Sequence, residues 1–448
     1  MFKKVLIANR GEIAVRIIRA CRELQIATVA VFSEADRESL HVRLADQAFC
    51  IGPAVSKESY LNIPRLIAVA EMTGADAVHP GYGFLAENAA FAEICKSHNI
   101  KFIGPSPTAI DGMGDKANAR KTMLAAGVPC IPGTKDIIKD IDEAKSVAEK
   151  IGYPVLIKAT AGGGGKGMRR VDKPEDLESS FKSASEEASA CFGNGAVYME
   201  KYILQPRHIE MQIIADSQGS VVWLGERDCS VQRRHQKLVE EAPSTFLKPE
   251  TRQKMGEASI KAAKAVNYEN AGTIEFLVDV NNDFYFMEMN TRIQVEHCVT
   301  EMITGIDLVK EQILVAAGKP LSFKQSDIKV NGHAIEFRIN AENWEKNFMP
   351  SPGHVRLFLP PAGPGVRVDT HVYPDYKVPS NYDSMLAKLI VWGRDRLEAI
   401  DRGRRALSEF VVDGVPTVIP FHRIVLENEY FIKGDVQTDF LEKRILNG

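Results

Sequence analysis

The chain has 448 residues, of which 45% are hydrophobic and 26% are charged, and its formal net charge at pH 7 is -3. This composition excludes an intrinsically disordered chain and predicts roughly two to four packed units. The small net charge excludes a general nucleic-acid-binding surface. Any anionic ligand must therefore be held by local clusters of cationic side chains.

The sequence shows no targeting segment and no cysteine motif. The first apolar run, Val5 to Ala8, is shorter than the hydrophobic segment of a signal peptide, and no later stretch is long enough to span a bilayer. The seven cysteines are scattered without a CxxC pair, which argues against a zinc or redox site. We therefore expect reduced thiols, a cytoplasmic location and no membrane partner.

The first elements in chain order predict a doubly wound parallel sheet. Val5 to Ala8 is typical of a buried strand, Ile13 to Leu24 of an amphipathic helix, and Thr28 to Phe32 of a second strand. The turn between the first strand and the helix contains one glycine, Gly11, where a dinucleotide fingerprint requires three. This turn argues against NAD as a ligand.

Further along the chain the pattern changes several times. Residues 128–204 combine strands, helices and a glycine run, which indicates a small mobile subdomain. Strands then dominate to Met289 and helices to Ala317, and a strand-rich unit follows Asn331. A helix near Leu397 to Phe410 closes this last unit.

The glycine run follows a predicted strand, Val155 to Lys158, and comprises Gly162 to Gly165 followed by Lys166. Without Cβ atoms, successive backbone N–H groups can surround a phosphate closely, and the loop can close as a lid. The spacing differs from a Walker loop, because Gly167 stands where that motif needs Ser or Thr. The alternative is a flexible linker.

The segment GTIEFLVDVNNDFYFMEMN predicts two antiparallel strands joined by a two-residue turn at Asn281 and Asn282. Counting back from this turn places Glu275 opposite Glu288, and it places Thr273 opposite Asn290.

Facing carboxylates repel unless a cation lies between them, and Mg²⁺ is a hard ion that bridges carboxylates to nucleotide phosphates. The same count puts Phe284 and Phe286 on the face of Glu275 and Glu288, which argues for burial of that face. The alternative is a pair of solvated glutamates on an open sheet.

Arg292, Gln294 and Glu296 follow this hairpin at alternate positions, so an extended chain would project all three from one side. A guanidinium matches a small planar oxyanion, and a neighbouring carboxylate can act as a general base. We interpret these residues as a site for bicarbonate. The alternative is a structural salt bridge between Arg292 and Glu296.

Two further segments are rich in charged residues but ambiguous by themselves. The first, ERDCSVQRRHQKLVEEAP, fits a solvated surface equally well, although it contains Arg233, Arg234, His235, Lys237, Glu240 and Glu241. In the second, VYMEKYILQPRHIEMQ, a single histidine is more often structural than functional, and the candidates are Glu200, Lys201 and His208.

In this order and spacing, KATAGGGGKGM, ERDCSVQRRHQK, EMNTRIQVEH and EFRINAE resemble the biotin carboxylase family of ATP-grasp enzymes. The resemblance extends from IANRGEIA to YDSMLAKL, which is essentially the whole chain. It implies an α/β fold with a Rossmann-like (pre-ATP-grasp) domain at 1–115 and an ATP-grasp core at 116–330. The core would carry a glycine-loop lid at about 130–204, and a mixed α+β domain at 331–448 would complete the active site.

The resemblance also implies the ligands of ATP and metal. ATP would contact Lys116, Lys158, Gly164, Gly165, His208, His235 and the segment Glu200, Lys201, Tyr202 and Ile203 on the adenine side. Two ions of Mg²⁺ or Mn²⁺ would be held by Glu275, Glu288 and Asn290. The hairpin count reaches the two glutamates independently of the family.

For the chemistry, the resemblance implies that Glu296 deprotonates a bicarbonate held by Lys237, Arg292, Gln294 and the backbone of Val295. The oxyanion would attack the γ-phosphate of ATP to form carboxyphosphate, whose CO₂ would then carboxylate biotin. The anionic form of biotin would be stabilised by Arg338.

The chain departs from the family pattern in two places. Cys298 stands where the family usually has proline in HPVTE, and the glycine loop begins ATAGGGG instead of SGGGGG. The lost proline affects loop rigidity more than chemistry.

The sequence contains no AMKM-type biotinylation site, so we expect biotin to arrive on a biotin carboxyl carrier protein, with carboxyltransferase subunits as further partners. The family implies a homodimer and, by default, the first half-reaction of acetyl-CoA carboxylase, which feeds malonyl-CoA and fatty acid synthesis. The nearest alternative is a component of pyruvate carboxylase or of another acyl-CoA carboxylase. A different ATP-grasp ligase and a nucleotide-binding scaffold without turnover are more distant ones.

Overall fold

A computed structural model describes residues 1–134, 137–159, 168–192 and 195–446. The predicted phosphate-covering glycines, Gly164 and Gly165, and Lys166 lie outside these residues. Cys21, Cys50, Cys95, Cys130, Cys229 and Cys298 are free thiols, as expected. Among the described residues, none of the helices combines the length and apolar character needed to cross a bilayer.

The N-terminal part is a parallel sheet with the strand order β3-β2-β1-β4-β5. Its first strand, helix and second strand confirm the predicted βαβ unit within two residues at each end. The elements are β1 (Lys4–Ile7), α1 (Gly11–Glu23), β2 (Ala27–Ser33), α2 (Leu40–Leu44), β3 (Gln47–Gly52), α3 (Ile63–Thr73), β4 (Ala77–His79), α4 (Ala89–Ser97), β5 (Lys101–Phe102) and α5 (Pro107–Gly114). Apolar strands buried between helices account for this doubly wound arrangement.

A small antiparallel sheet with the order β7-β6-β8 forms the predicted lid region. One face of this sheet is covered by helices, and alternate residues of β6, Val155 and Ile157, are fully buried beneath them. Helix α6 (Lys116–Ala125) precedes this region, whose elements are α7 (Ile141–Ile151), β6 (Val155–Ala159), β7 (Met168–Val171), α8 (Leu177–Phe192) and β8 (Val197–Lys201). The period of two along β6 is typical of a sheet that buries one face.

The largest sheet runs in the order β13-β12-β9-β10-β11-β14-β21-β19, and its neighbouring strands are antiparallel. Its first part comprises β9 (Arg207–Ala215), β10 (Val221–Arg233), β11 (Gln236–Ala242), α9 (Pro249–Ala265), β12 (Asn270–Val278), β13 (Phe284–Asn290), α10 (His297–Thr304) and α11 (Leu308–Ala316). Strands β11 and β14 pair across the domain boundary predicted at residue 331. The segments before and after this boundary therefore share one continuous sheet.

The C-terminal part packs helices on the far half of this sheet around a core that includes Phe337, Leu389 and Phe421. It comprises β14 (His333–Asn340), β15 (Glu342–Asn343), β16 (Met349–Pro350), β17 (Gly353–Val355), β18 (Leu357–Leu359), β19 (Val366–Thr370), β20 (Tyr376–Val378), β21 (Met385–Gly393), α12 (Arg396–Glu409), β22 (Val411–Asp413), α13 (Ile419–Glu427) and α14 (Glu429–Lys433). The mixture of helices and antiparallel strands is the α+β architecture expected for this part.

The hairpin of β12 and β13 contains both predicted pairs, Glu275 with Glu288 and Thr273 with Asn290. A bulge interrupts the ladder, because one extra residue, Met287, is inserted in β13. The predicted register is therefore confirmed on the side of the bulge away from the turn.

The turn of this hairpin is longer than predicted. The backbone N–H of Asp279 donates to the carbonyl of Asp283 at 2.9 Å, so the loop comprises Val280, Asn281 and Asn282. Asn282 has a φ of 68°, a left-handed conformation that asparagine tolerates. The prediction of a two-residue turn is wrong, and the bulge compensates for the extra residue in the loop.

The bulge also changes which side chains share a face with the glutamates. Phe276 faces Phe286 across the ladder, and both rings lie in the hydrophobic core together with Phe284. Adjacent residues of a strand point to opposite faces, so Glu275 points away from this core. The prediction that the two phenylalanines of β13 share the face of Glu275 and Glu288 is therefore wrong.

Packing behind this hairpin can be tested with Phe276→Ala. Phe276 is fully buried, so we expect the free energy of unfolding to fall by about 3–5 kcal/mol, as for other buried Phe-to-Ala changes. Urea denaturation followed by fluorescence measures this loss. Val280→Ala in the exposed turn is the control, and equal effects of the two substitutions would contradict the assigned faces.

Candidate active site

Lys237 lies at the centre of a cluster of three carboxylates. Its Nζ atom is 2.6 Å from Glu210 Oε2, 2.6 Å from Glu296 Oε1 and 3.0 Å from Glu275 Oε1. Strands β11, β9 and β12 supply the lysine and two of the glutamates, and Glu296 lies immediately before α10. Four separate segments therefore meet at one ammonium group.

The charged groups in this cluster strongly shift one another's pKa values. Burial opposes the charge of Lys237, but Glu210 and Glu296 raise its pKa well above the usual value. Burial likewise opposes ionisation of Glu296, yet Lys237 and Arg338 hold its pKa well below the usual range. The pKa of Glu275 is also low despite burial, because of Lys237 and His208. Lys237, Glu275 and Glu296 are therefore ionised at neutral pH.

Arg227 neutralises the third carboxylate of the cluster, that of Glu210. Its guanidinium is fully buried and forms an ion pair with Glu210. Its other N–H groups donate to the side-chain oxygens of Gln212, Thr273, Gln294 and Thr300 at 2.7–3.1 Å. A fully satisfied guanidinium is the condition under which such a charge can be buried.

Glu210 and Arg227 were not singled out in the sequence as site residues. A signal for them does exist, since each is a charged residue inside a strand whose neighbours are buried. Such residues are rarely buried without a partner. The partner could not be identified from the sequence because β9 and β10 are offset by a bulge.

Arg338 on β14 reaches the opposite oxygen of Glu296. The Nη2 atom of Arg338 is 3.0 Å from Glu296 Oε2, and its Nε donates to Glu240 Oε1 at 2.7 Å. Glu240 in turn faces Glu336 across the β11–β14 ladder, and both are fully buried. Burial raises the pKa of Glu240 to about 7 and that of Glu336 well above its usual value.

The predicted metal ligands lie at the edge of the same cluster. Glu288 is partly exposed, and its carboxylate lies 3.7 Å from the Lys116 ammonium. The amide of Asn290 donates to Glu275 Oε1 at 2.9 Å. Two carboxylates on adjacent strands and an amide oxygen form a donor set that suits Mg²⁺. A cavity of about 220 Å³ opens beside Glu288 and is lined by Glu87, Lys116, Asn290 and Thr291.

Residues 292–296 are not the extended segment on which the bicarbonate prediction was based: the chain bends at Arg292, has no regular structure at residues 293 and 294, and turns at Val295 and Glu296. Arg292 forms a salt bridge with Glu87 at 2.8 Å and donates to Asn290 Oδ1 at 3.1 Å. The alternative prediction, a salt bridge between Arg292 and Glu296, is therefore wrong, because Glu87 is the partner of Arg292. Gln294 donates to Glu275 Oε1 at 2.8 Å. The segment nevertheless brings Gln294 and Glu296 to the same lysine-centred cluster.

The predicted nucleotide-binding residues fall into two groups. On the small sheet, Lys158 Nζ lies 2.5 Å from Glu200 Oε2. Lys201 donates instead to the backbone carbonyls of Gly152 and Tyr153 at 2.9 and 3.0 Å, which ties β8 to the preceding loop. Tyr202 and Ile203 continue directly from this strand.

The second group borders the large sheet. His208 Nε2 lies 2.9 Å from Glu275 Oε2, inside the cluster. His235 is exposed in the turn between β10 and β11, where it and Arg234 have positive φ angles. Of these two histidines, only His208 is brought into contact with Glu275 or Lys237.

Three family models match successive parts of the chain. Residues 1–110 match the family model of the biotin carboxylase N-terminal domain, and residues 336–443 match that of the C-terminal domain. Between them, residues 115–324 match the ATP-binding domain of the carbamoyl-phosphate synthase L chain.

The chain is similar over its whole length to individual members. It is 61% identical to biotin carboxylase 1 of Bacillus subtilis, over 99% of this chain and 98% of the relative. It is 56% identical to a pyruvate carboxylase subunit of Methanothermobacter thermautotrophicus, over 99% and 90%. A crystal structure of the biotin carboxylase domain dimer of Hydrogenobacter thermophilus 2-oxoglutarate carboxylase, with MgADP, ADP and bicarbonate, superposes with a TM-score of 0.90 at 50% identity, covering 99% and 98%.

The fold and the charged cluster at the sheet define an ATP-dependent ligase of the ATP-grasp type. The chain belongs to the biotin carboxylase family. Its activity is the carboxylation of biotin, as the resemblance implies.

The buried pair of Glu240 and Glu336 predicts a pH-dependent stability. Burial raises the pKa of Glu336 in the folded protein above its ordinary value of 4.5. The neutral carboxyl group therefore contributes its full share to the free energy of unfolding below pH 4.5, and this share is lost as the pH rises through the pKa of the folded protein. Glutamine does not ionise, so Glu336→Gln removes this pH-dependent loss of stability. We therefore expect the variant to gain stability relative to the parent as pH rises from about 5 to about 8.

Urea unfolding at several pH values measures this difference. Glu93→Gln, at an exposed position of α4, is the control and should show no such trend. A difference between parent and Glu336→Gln that stays constant with pH would contradict the raised pKa.

Proposed function

We propose that the chain uses ATP and bicarbonate to carboxylate biotin carried on a separate protein, through carboxyphosphate. One observation supports this most directly. The Glu296 carboxylate lies between two cations, Lys237 at 2.6 Å and Arg338 at 3.0 Å, so a base and two anion-binding groups share one small site. A small oxyanion could take the place of the Glu296 carboxylate in either of these ion pairs.

In this proposal Glu296 is the base that deprotonates bicarbonate, and Lys237, Arg292, Gln294 and the backbone of Val295 hold the anion. When the anion attracts Lys237 to itself, Glu296 loses the cation that keeps its pKa low and becomes a stronger base. The deprotonated oxygen attacks the γ-phosphate of ATP, and ADP leaves.

Carboxyphosphate then releases CO₂ and phosphate, and the phosphate accepts the proton of the biotin ureido nitrogen. Arg338 stabilises the enolate-like biotin that attacks CO₂. Its guanidinium remains charged at any accessible pH, because Glu240 and Glu296 raise its pKa despite burial. Arg338 lies on β14, so the C-terminal segment contributes directly to the site.

For the nucleotide, the proposal divides the chain at 1–115, 116–330 and 331–448, with the lid at about 130–204 closing over ATP. The ATP-binding residues are then Lys116, Lys158, Gly164, Gly165, Glu200, Lys201, Tyr202, Ile203, His208 and His235. The pairing of Lys158 with Glu200 supports a lid site, because a phosphate could take the place of the glutamate.

Glu275, Glu288 and Asn290 would hold two ions of Mg²⁺ or Mn²⁺, with phosphate and water oxygens as the remaining ligands. The openness of Glu288 to the adjoining cavity supports this role. A bound divalent ion would neutralise phosphate charge as the γ-phosphoryl group is transferred. Glu275 would have to give up one of its present donors, such as Asn290, to serve as a ligand.

For partners, we propose a biotin carboxyl carrier protein, carboxyltransferase subunits and a homodimer. The family resemblance favours a place in acetyl-CoA carboxylase, which feeds malonyl-CoA and fatty acid synthesis. The 56% identity to a pyruvate carboxylase subunit supports the second candidate, a component of a pyruvate carboxylase. Dimerisation is supported by the dimer of the related 2-oxoglutarate carboxylase domain.

Glu296→Ala and Arg338→Ala test the proposed roles. We expect both substitutions to slow biotin-dependent ADP formation by about 10²- to 10⁴-fold, because each removes a group needed in the transition state. Binding of ATP, measured by calorimetry, should survive, since neither side chain is placed at the nucleotide.

Glu257→Ala, at an exposed position of α9, is the control for these variants. ADP formation by the parent should require bicarbonate and should rise with free biotin. A rate independent of both would indicate a different ATP-grasp ligase, and unchanged rates in the two site variants would refute the assigned roles.

A further inference from the structure

Lys388 on β21 is a fully buried lysine that the proposed reaction does not use. Its Nζ atom donates to the backbone carbonyl of Val295 at 2.8 Å and to Cys298 Sγ at 3.1 Å, and it lies 3.2 Å from Glu12 Oε1. Burial lowers the pKa of Lys388, but Cys298, Glu12 and Glu336 raise it well above its usual value. The side chain therefore carries a buried positive charge.

These contacts join three distant parts of the chain. Glu12 comes from α1 of the N-terminal sheet, Val295 from the turn before α10, and Lys388 from the C-terminal part of the large sheet. The hydroxyl of Tyr82 donates to Glu12, which fixes the counter-ion of the lysine. Burying an ammonium group is costly unless it is paired. In the folded protein, three segments of the chain supply the partners of the Lys388 ammonium.

The β14–β21 ladder relates Lys388 to the proposed catalytic residues. Arg338 and Lys388 are directly opposite each other in this ladder. Arg338 binds the side chain of Glu296, and Lys388 binds the main-chain carbonyl of the residue before it, Val295. Two cations on neighbouring strands thus hold consecutive residues of one turn.

We propose that Lys388 is a positioning residue for bicarbonate: its ammonium fixes the Val295 carbonyl and so holds residues 292–296 in the geometry that receives the anion. This inference rests on the proposed function, in which those residues bind bicarbonate. A charge-assisted hydrogen bond to a main-chain carbonyl restricts the orientation of the peptide between Val295 and Glu296. That restriction sets the direction of the proposed base relative to Lys237.

Lys388→Met tests the proposal, because methionine keeps the length of the side chain and removes the donor. We expect the KM for bicarbonate to rise by roughly tenfold or more, the size expected for loss of one charge-assisted hydrogen bond, while the KM for ATP stays the same. Both constants are measured from initial rates of ADP formation with free biotin. A purely structural role would instead reduce the melting temperature and the active fraction and leave both KM values unchanged.

Two further variants separate the bond to Val295 from the other contacts. Cys298→Ala removes a side-chain partner of Lys388 but leaves the bond to the carbonyl, so the KM for bicarbonate should not change. Glu12→Gln combined with Lys388→Met removes the unpaired buried carboxylate, so it should recover stability over the single variant. If this double variant also recovers the KM for bicarbonate, the proposal is overturned.

Gln294→Ala distinguishes failure of this inference from failure of the proposed function. If Gln294→Ala raises the KM for bicarbonate and Lys388→Met does not, the positioning role of Lys388 is wrong while the bicarbonate site stands. If neither variant changes this KM, residues 292–296 do not hold bicarbonate, and the inference fails together with the site on which it rests.

Discussion

The ion pairs of Lys237 with Glu210, Glu275 and Glu296 are the interaction on which the site depends. Three carboxylates within reach of one ammonium leave an excess of negative charge, which would repel both bicarbonate and ATP. Arg227, Arg338 and His208 each contact one of the three carboxylates. In the proposed function, a substrate anion would replace a glutamate in this network, so that its binding would not require a new cation.

The continuous sheet explains how residues distant in sequence reach this network. Strands β9, β10, β11 and β12 supply the lysine, Arg227 and two glutamates, and the pairing of β11 with β14 brings Arg338 beside them. A sheet holds side chains on neighbouring strands at fixed separations. The C-terminal segment therefore contributes directly to the charged cluster, although the sequence suggests a boundary between β11 and β14.

The predictable parts of the structure depend on local pattern. The first βαβ unit follows from apolar periodicity, and the pairing of Glu275 with Glu288 follows from counting along a hairpin. That count succeeded although the turn was wrong, because the bulge at Met287 offsets the extra residue in the loop. The burial of Arg227 could not be predicted in this way, since its partners lie on several segments and depend on the tertiary fold.

The central claim is that the Lys237 ammonium pairs with the three carboxylates and binds bicarbonate next to Glu296. Bicarbonate-dependent ADP formation by Lys237→Gln, with free biotin at saturating ATP, tests it most directly. Removal of this cation should lower the rate by about 10²- to 10³-fold, as for other groups that stabilise developing charge, without abolishing ATP binding. A variant that cleaves ATP at the parental rate, with the parental dependence on bicarbonate, would contradict the account.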